Sequence, residues 1–299
     1  MELHTLEYFV CAARLQHITR AAAQLHVAQP SLSRTIAGLE AELGVPLFDR
    51  TGKNIVLNQY GQVVLHHAQR ILQEAQDIRD ELADLKDEGR RTVSISLRAA
   101  SKLLPQVVLG FKREYPSIRL HILQDEGGGS ELPCDLTLYS SLQPCEGPHQ
   151  AMLIEEEILL ALPETNPLVE QPAVDLRRAA GEEFICLQRG KSLRTITDFY
   201  CRMAGFEPTV VMESDSPETV RELIGAGVGI SFIPSVTWGG LDTAHIALRP
   251  ISFPACRRFI NLSWREGYLS PAAILFRDYV QRFFAALRPA PRPAAGSPG

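Results

Sequence analysis

The amino-acid sequence predicts a multidomain α+β protein: a small helical unit closed by a β-hairpin, one long helix, and a larger α/β half. Three observations carry that expectation. Apolar residues recur at helical spacing from Leu3 to Leu39, a proline-free heptad seam follows, and from Thr92 onward strand-like runs alternate with helical ones. Such alternation is the pattern of an α/β fold with parallel sheets.

Leu3, Leu6, Phe9 and Val10 mark a first helix, and Ala21, Ala22 and Leu25 a second. Thr19 precedes the second run and is a candidate cap. A third run, opened by Gln29 or Ser31, carries Leu32, Ile36 and Leu39, and Gly44 with Pro46 ends it. Leu47-Phe48 and Ile55-Val56-Leu57 then read as two short strands around the polar turn Thr51-Gly52-Lys53-Asn54. The second and third runs meet the demands of a helix-turn-helix: a small residue inside the first helix, a tight turn, and apolar locks. Ala22 is the small residue, His26 falls where the turn needs a left-handed backbone, and Val27 and Leu32 are the locks. Pro30 suits a first helical turn. The whole reads as a winged helix-turn-helix over residues 1–58.

Residues 59–88 predict the long helix. Val64, Ala68, Ile71, Ala75, Ile78, Leu82 and Leu85 alternate in steps of four and three, a coiled-coil seam. The flanking Glu74, Asp77, Arg79, Asp80, Glu81 and Asp84 predict water on its other sides and dimerisation through the seam.

Beyond Gly89-Arg90-Arg91, strands are predicted at Val93–Leu97, Ile118–Leu123, Leu136–Tyr139, Met152–Leu162, Phe184–Leu187, Thr209–Met212, Gly229–Ile233 and Phe259–Trp264. Helices are predicted at Lys102–Tyr115, Ser192–Ala204, Pro217–Gly225 and Pro271–Leu287. The Pro-, Ala-, Gly- and Ser-rich tail, 288–299, predicts disorder.

With 45% hydrophobic and 22% charged residues, the composition is that of a globular protein able to build real cores. The opening MELHTLEYFVCAARLQH lacks the charged head and apolar run of a secretory signal, and no stretch approaches the ~18 apolar residues of a membrane span. These features predict a cytoplasmic protein without a membrane partner. The cysteines (Cys11, Cys134, Cys145, Cys186, Cys201, Cys256) form no CxxC pair and no zinc spacing, so neither a metal nor a cofactor is expected. They read as reduced thiols, with one alternative: a redox switch between Cys134 and Cys145, which bracket an apparent loop. No nucleophile, base and orienting group stand together, so an enzyme is not expected. Gly225–Gly229 (GAGVG) follows a helix and precedes a strand, the reverse of a dinucleotide fingerprint, and its glycines read as a helix end packed on a strand. Glu155-Glu156-Glu157 alternates faces of a strand and offers no separated acid and base.

The net charge of −5 does not advertise nucleic-acid binding. Within residues 1–58, Arg14, Arg20, Arg34, Arg50 and Lys53 are matched by Glu2, Glu7, Glu40, Glu42 and Asp49, so placement has to carry the argument. The outward side of the third helix carries Gln29, Ser31, Ser33 and Arg34. Arg pairs bidentately with guanine and Gln with adenine in the major groove, and Ser hydroxyls suit phosphates. The turn Arg50-Thr51-Gly52-Lys53 projects as a wing toward backbone or minor groove. Thr19, Gln29, Pro30, Ser31, Ser33, Arg34, Arg50 and Lys53 are therefore the candidate DNA-binding residues, with double-stranded promoter DNA as the partner.

The stretch ITRAAAQLHVAQPSLSRTIAGLEAELGVPLFDR (Ile18–Arg50), with Leu6-Glu7-Tyr8-Phe9 before it and Val56-Leu57 and Gly61 after it, resembles the LysR-type transcriptional regulators. Asn58 stands where that family usually has Thr, and Asn can also cap the following helix. LLPQVVLGFKREYPSIRL (Leu103–Leu120) and ELIGAGVGISFIPS (Glu222–Ser235) resemble the family's effector-domain landmarks. One departure is large: where the family usually places a helix, this chain has only Gln124–Asp135, with Gly127-Gly128-Gly129.

The resemblance implies two α/β subdomains, akin to periplasmic binding proteins, with a ligand cleft between them. Subdomain I is expected at 92–162 and 266–287, and subdomain II at 163–265. Helix N-termini at Ala100-Ser101-Lys102, Lys191-Ser192-Leu193 and Ser214–Pro217 would line the cleft and favour an anion, with Lys102, Lys191 and Arg194 adding charge. Ala100, Ser101, Lys102, Lys191, Ser192, Thr195 and Ser214 are the candidate effector-binding residues, although Ser101 and Ser192 could merely cap their helices. The resemblance further implies an activator acting as a homodimer or homotetramer with RNA polymerase as partner. The competing readings are the redox switch and a solute-sensing protein that acts without DNA.

Overall fold

The computed structural model describes residues 1–51, 54–86, 92–124, 134–238 and 245–287. It divides into two units, Met1–Arg90 and Arg91–Gly299.

In the first unit, Leu3–Leu15 (α1), Ile18–Gln24 (α2) and Gln29–Leu43 (α3) bury Leu6, Phe9, Ala21, Ala22, Leu32, Ile36 and Leu39 in one core. His26 takes the left-handed conformation (φ 55°) that the turn between α2 and α3 requires, and Gly44 (φ 74°) ends α3. The cap of α2 is His17, whose Nδ1 accepts from the Arg20 N–H, and Thr19 lies one residue inside the helix. That corrects the expected cap: His17 already has the extended backbone an N-cap needs. Phe48–Thr51 (β1) and Asn54–Leu57 (β2) form the antiparallel hairpin.

Gln59–Leu85 (α4) is the long helix. Asn58 caps it, accepting from the Gly61 N–H at 2.9 Å while its own amide donates to the Pro46 carbonyl. Gly61 is required by closeness, because a Cβ there would stand 2.2 Å from the Leu47 carbonyl oxygen. The heptad seam divides. Val64 and Ala68 pack into the unit's own core, whereas Ile71, Ile78, Leu82 and Leu85 stay exposed. Asp77, expected in water, is buried and accepts from the Gln73 side chain at 2.7 Å.

The second unit begins with Thr92–Leu97 (β3), a short 3₁₀ turn at Ser101–Leu103 and Leu104–Glu114 (α5). Arg119–Gln124 (β4), Leu136–Ser141 (β5) and the long Gln150–Pro163 (β6) follow. Then come Val174–Asp175 (β7), Glu183–Leu187 (β8), Ser192–Met203 (α6), Thr209–Ser214 (β9) and Pro217–Gly225 (α7). Ser231–Pro234 (β10), Ile246–Phe253 (β11), Arg257–Trp264 (β12) and Pro271–Leu287 (α8) complete the unit. The main sheet runs β4-β3-β5-β12-β6-β11-β7, with β10 also on β6, and β8-β9 form a separate pair. Parallel pairing, expected throughout, holds for β3 with β4 and β5, for β8 with β9 and for β11 with β7; β12, β10 and β11 run antiparallel to β6. The sheet is mixed because the chain returns through strands joined by loops, which need no crossover helix. β7 and β11 escaped the sequence reading: one is two residues long, and the other carries Arg249 and Pro250 in its middle.

Two cores divide this unit. Val93–Ile154, Ile260, Leu262 and the apolar face of α8 supply the first; Ile158–Leu162 and residues on to Cys256 supply the second. The lobes therefore exchange between Ile154 and Ile158 within β6, and between Cys256, just before β12, and Ile260 inside it. The expected crossings at 162–163 and 265–266 are corrected accordingly: each strand continues unbroken from one lobe into the other, so the boundary does not fall at a strand end. The shortened Gln124–Asp135 segment and the tail 288–299 lie largely outside the described residues.

Candidate nucleic-acid interface and effector cleft

In the first unit, α3 presents Gln29, Pro30, Ser31 and Arg34 to solvent. Ser33 is half-buried and accepts from the Gln29 amide at 3.0 Å, so these two side chains order each other. Ser31 is fixed by its backbone, whose carbonyl accepts from the Thr35 hydroxyl at 3.1 Å. Thr19 is exposed at the start of α2. Glu40, on the inner side of α3, accepts from the backbone N–H groups of Leu47 (2.7 Å) and Phe48 (3.3 Å) and so ties the hairpin to α3. Arg50 sits in β1 opposite Ile55, while Gly52 and Lys53 fall outside the described residues. The exposed polar row on one helix and the hairpin that Glu40 fixes beside it form an arrangement that can enter a groove and touch its backbone.

The second unit contains a cleft of about 1070 Å³ lined from both lobes, including Ala100, Ser101, Lys191, Ser192 and Thr195 as expected. Ala100 is buried at φ 59°, a left-handed conformation that costs a non-glycine residue about 1–3 kcal/mol and clusters at functional sites. No side chain caps the turn at Ser101, and none caps α6, where Lys191 is the N-cap residue. Neither Ser101 nor Ser192 spends its hydroxyl as a cap. The Ser192 hydroxyl instead accepts from Ser140 of β5 at 3.0 Å, a bond running from one lobe to the other.

Three expected contributors stand elsewhere. Ser214 ends β9 and orders the turn before α7: its hydroxyl accepts from the Ser216 N–H at 3.1 Å, and Ser216 in turn caps α7 by accepting from the Glu218 and Thr219 N–H groups. That helix start is thereby closed to an anion. Lys102 does not line the cleft; burial and then Arg221 push its ammonium below its ordinary value, with Glu218 pulling the other way. Arg194 is buried and ion-paired to Asp198 (2.9 Å) and Glu213, so its charge is cancelled within the fold.

The sequence reading missed the base of the cleft. Arg258 and Glu156, opposed in register on β12 and β6, form a fully buried ion pair at 2.7 Å. Glu156 also accepts from the backbone N–H groups of Val236 and Thr237 and from the Thr237 hydroxyl. Arg258 donates to Thr237 and, at 3.4 Å, to Ser140. A relay thus runs from Arg258 through Ser140 to Ser192, leaving the Ser192 proton free of these bonds for a group in the cleft. The available signal was charge inside otherwise apolar strands: Glu156 and Arg258 alternate inward with the core residues, and a buried charge must be paired.

Of the thiols, Cys11, Cys186, Cys201 and Cys256 are buried, and burial pushes each one's pKa up, to about 11 for Cys186 and about 12 for Cys201. Cys134 and Cys145 are half-buried, and Cys134 lines the cleft. The GAGVG segment closes α7: Gly227 (φ 82°) donates back to the Ile224 carbonyl, and a Cβ on Gly229 would stand 2.5 Å from the Glu183 carbonyl oxygen.

A helix-turn-helix unit followed by a two-lobed ligand cleft defines a ligand-responsive DNA-binding protein. Residues 3–62 match the bacterial regulatory helix-turn-helix protein model of the lysR family, and residues 86–285 match the LysR substrate binding domain. The uncharacterized HTH-type transcriptional regulator YybE of Bacillus subtilis (strain 168) is 36% identical over 296 residues, 95% of this chain and 100% of the relative. The transcriptional dual regulator GltC of the same organism is 31% identical, with 96% of this chain and 99% of the relative covered. Among solved structures, a full-length OxyR variant from Pseudomonas aeruginosa superposes with a TM-score of 0.62 at 27% identity, covering 94% of this chain and 95% of that one. The chain belongs to the LysR family of bacterial transcriptional regulators. It is a DNA-binding regulator with an effector-binding domain.

Proposed function

We propose that the effector is a small anion, a carboxylate-bearing metabolite, held between Ser101 of the first lobe and the Ser192–Thr195 turn of the second. The observation that carries this reading is the Ser140–Ser192 hydrogen bond across the cleft, set between two helix starts that no side chain caps. Uncapped amides at a helix N-terminus attract anions, and a ligand oxygen seated there takes over the Ser192 hydroxyl. Lys191, at the mouth of α6, adds charge.

Gln29, Ser31 and Arg34 read bases in the major groove of double-stranded promoter DNA, and Thr19, Pro30, Ser33, Arg50 and Lys53 position the unit on the backbone. Ile71, Ile78, Leu82 and Leu85 pair with a second copy, since burying each such side chain is worth about 1.5–3 kcal/mol. Two such dimers form the tetramer that spans two sites and bends the DNA between them. The protein acts in the cytoplasm as an activator with RNA polymerase as its partner; no helix among the described residues is long and apolar enough to cross a membrane.

Because a ligand regulates only through its preference for one arrangement of the protein, the response should appear as a changed DNA bend and footprint length. Ser101→Ala and Thr195→Ala should abolish that change under saturating effector and preserve basal DNA binding. A footprint response that survives both substitutions would place the ligand elsewhere. Cys134, on the cleft wall, keeps a redox reading in view: if oxidant shifts the footprint and Cys134→Ser cancels the shift, oxidation is the signal.

A further inference from the structure

We infer that Tyr200, on α6, is a positioning residue that fixes the crossing of β12 between the lobes and so sets the angle they make. Arg257, the first residue of β12, lies in that crossing, opposite Glu157 of β6. The carbonyl of its neighbour Cys256 accepts from the Ile158 N–H of β6 at 2.9 Å. Antiparallel ladders alternate, so Arg257 turns its own N–H and C=O away from β6. The strand on that other side is β5, but its last rung on β12 is Ser141 opposite Phe259. The Tyr200 hydroxyl occupies the missing rung. It donates to the Arg257 carbonyl at 2.7 Å and accepts from the Arg257 N–H at 2.9 Å, the pair of bonds a strand residue would exchange. Tyr200 is itself buried, with its ring packed in the second core. Burial also raises the phenol pKa above its ordinary 10.0, so the hydroxyl keeps the proton it donates.

Without that hydroxyl, the N–H and C=O of Arg257 would turn to water, and backbone bonded to water opens where backbone bonded in a ladder does not. The hydroxyl belongs to a helix of the second lobe, so Arg257 and α6 move together. The same helix begins at Ser192, about 12 Å earlier along its axis. There the Ser192 hydroxyl accepts from Ser140 of β5. α6 is thus fastened to the main sheet at the cleft and again at the crossing. A cleft ligand can take over the first fastening but not the second, because Tyr200 does not line the cleft. A ligand that displaces the start of α6 therefore turns the helix about Tyr200 and passes the motion to β12. That last step rests on the cleft reading above; the Tyr200 rung does not.

The test is amide hydrogen exchange of the full-length protein, read at Arg257 against Ile158, whose N–H donates across the same crossing. In the wild type both amides should be protected. Tyr200→Phe, which keeps the ring, should speed exchange at Arg257 about tenfold relative to Ile158. Cys201→Ala, next on α6 and buried in the same core, should move the two amides together. Arg257→Ala, which removes only the exposed partner of Glu155, should leave their ratio unchanged. A second measurement is the distance between spin labels on Arg113→Cys of α5 and Arg178→Cys of the second lobe, both exposed. The labelled chain carries Cys134→Ser and Cys145→Ser and is diluted with unlabelled copies. Tyr200→Phe should broaden that distance distribution, and Cys201→Ala should not. Both measurements are made without effector. If they turn out as expected while the footprint response survives Ser101→Ala and Thr195→Ala, the Tyr200 rung stands and the cleft reading falls. Fast exchange at Arg257 in the wild type overturns the proposal, even where Tyr200→Phe fails to fold. An unchanged exchange ratio or an unchanged distance distribution in Tyr200→Phe overturns it as well.

Discussion

Arg34 and Arg258 are the same residue type in opposite circumstances. Arg34 lies exposed on α3, whereas Arg258 is almost wholly buried against Glu156 at the base of the cleft. The difference separates two ways of using a charge. An exposed guanidinium on a rigid helix keeps its donors for an outside partner, and its removal touches binding and leaves the fold alone. A buried one is committed to the fold, and reaches the site only by ordering the hydroxyls in front of it. The DNA-reading unit works by display and the cleft by internal support.

Four substitutions break or sharpen that contrast, beginning with the largest expected effect. Glu156→Ala strands a buried guanidinium and should destabilise the second unit by about 3–5 kcal/mol in denaturant unfolding. A loss below 1 kcal/mol would mean water reaches Arg258 and the support is not internal. Gly61→Ala drives a Cβ into the Leu47 carbonyl and should cost about 1–3 kcal/mol in the first unit. Arg34→Ala should leave the unfolding midpoint within about 0.5 kcal/mol of wild type while weakening specific DNA binding by about 1–3 kcal/mol and relaxing sequence preference. Intact discrimination in a binding-site selection would show that another face of the unit reads the bases. Ile78→Asp should leave the folded monomer stable yet shift sedimentation from dimer to monomer; a wild type that is monomeric at micromolar concentration removes the exposed seam from the account.

The smallest effect concerns pH. Cys201 holds its proton to about 12 against an ordinary 9.0, so between those values the unfolded chain loses a proton that the folded chain keeps. Stability from this group is full below pH 9 and lost as pH climbs through the folded value. At pH 8, iodoacetamide should label Cys134 and Cys145 in the native protein and spare Cys186, Cys201 and Cys256. Rapid labelling of Cys201 would show that the second core opens readily.

Legibility followed the same divide. The reading unit is contiguous, and its requirements are local: a small residue at Ala22, a left-handed backbone at His26, a proline in the first turn at Pro30. Each leaves its mark within a few residues. The cleft is assembled from Ser101, Ser140, Ser192 and Arg258, whose proximity is created by strand pairing and not by spacing. Ser101 and Ser192 were legible because each stands at a helix start, a local feature. Ser140 and Arg258 were not, because only the register of β5, β12 and β6 brings them to the same place. Ser214 and Arg194 misled because each had a nearer partner, Ser216 for one and Asp198 with Glu213 for the other. The split seam of α4 has a similar cause: a heptad repeat records that a face is apolar, and not whether its own unit or a second copy covers it.

The clamp at the root of α4 turns that helix into a lever. Asn58 and the close approach of Gly61 to Leu47 bind its first turn to the hairpin, and Glu40 binds the hairpin to α3. A helix of 27 residues extends about 40 Å. If the Leu85 end is held, a tilt of about five degrees moves the other end by roughly 3.5 Å, close to the ~3.4 Å between successive nucleotides on one DNA strand. A tilt of a few degrees at one end of α4 would therefore be felt at α3 as a displacement on the scale of one nucleotide step.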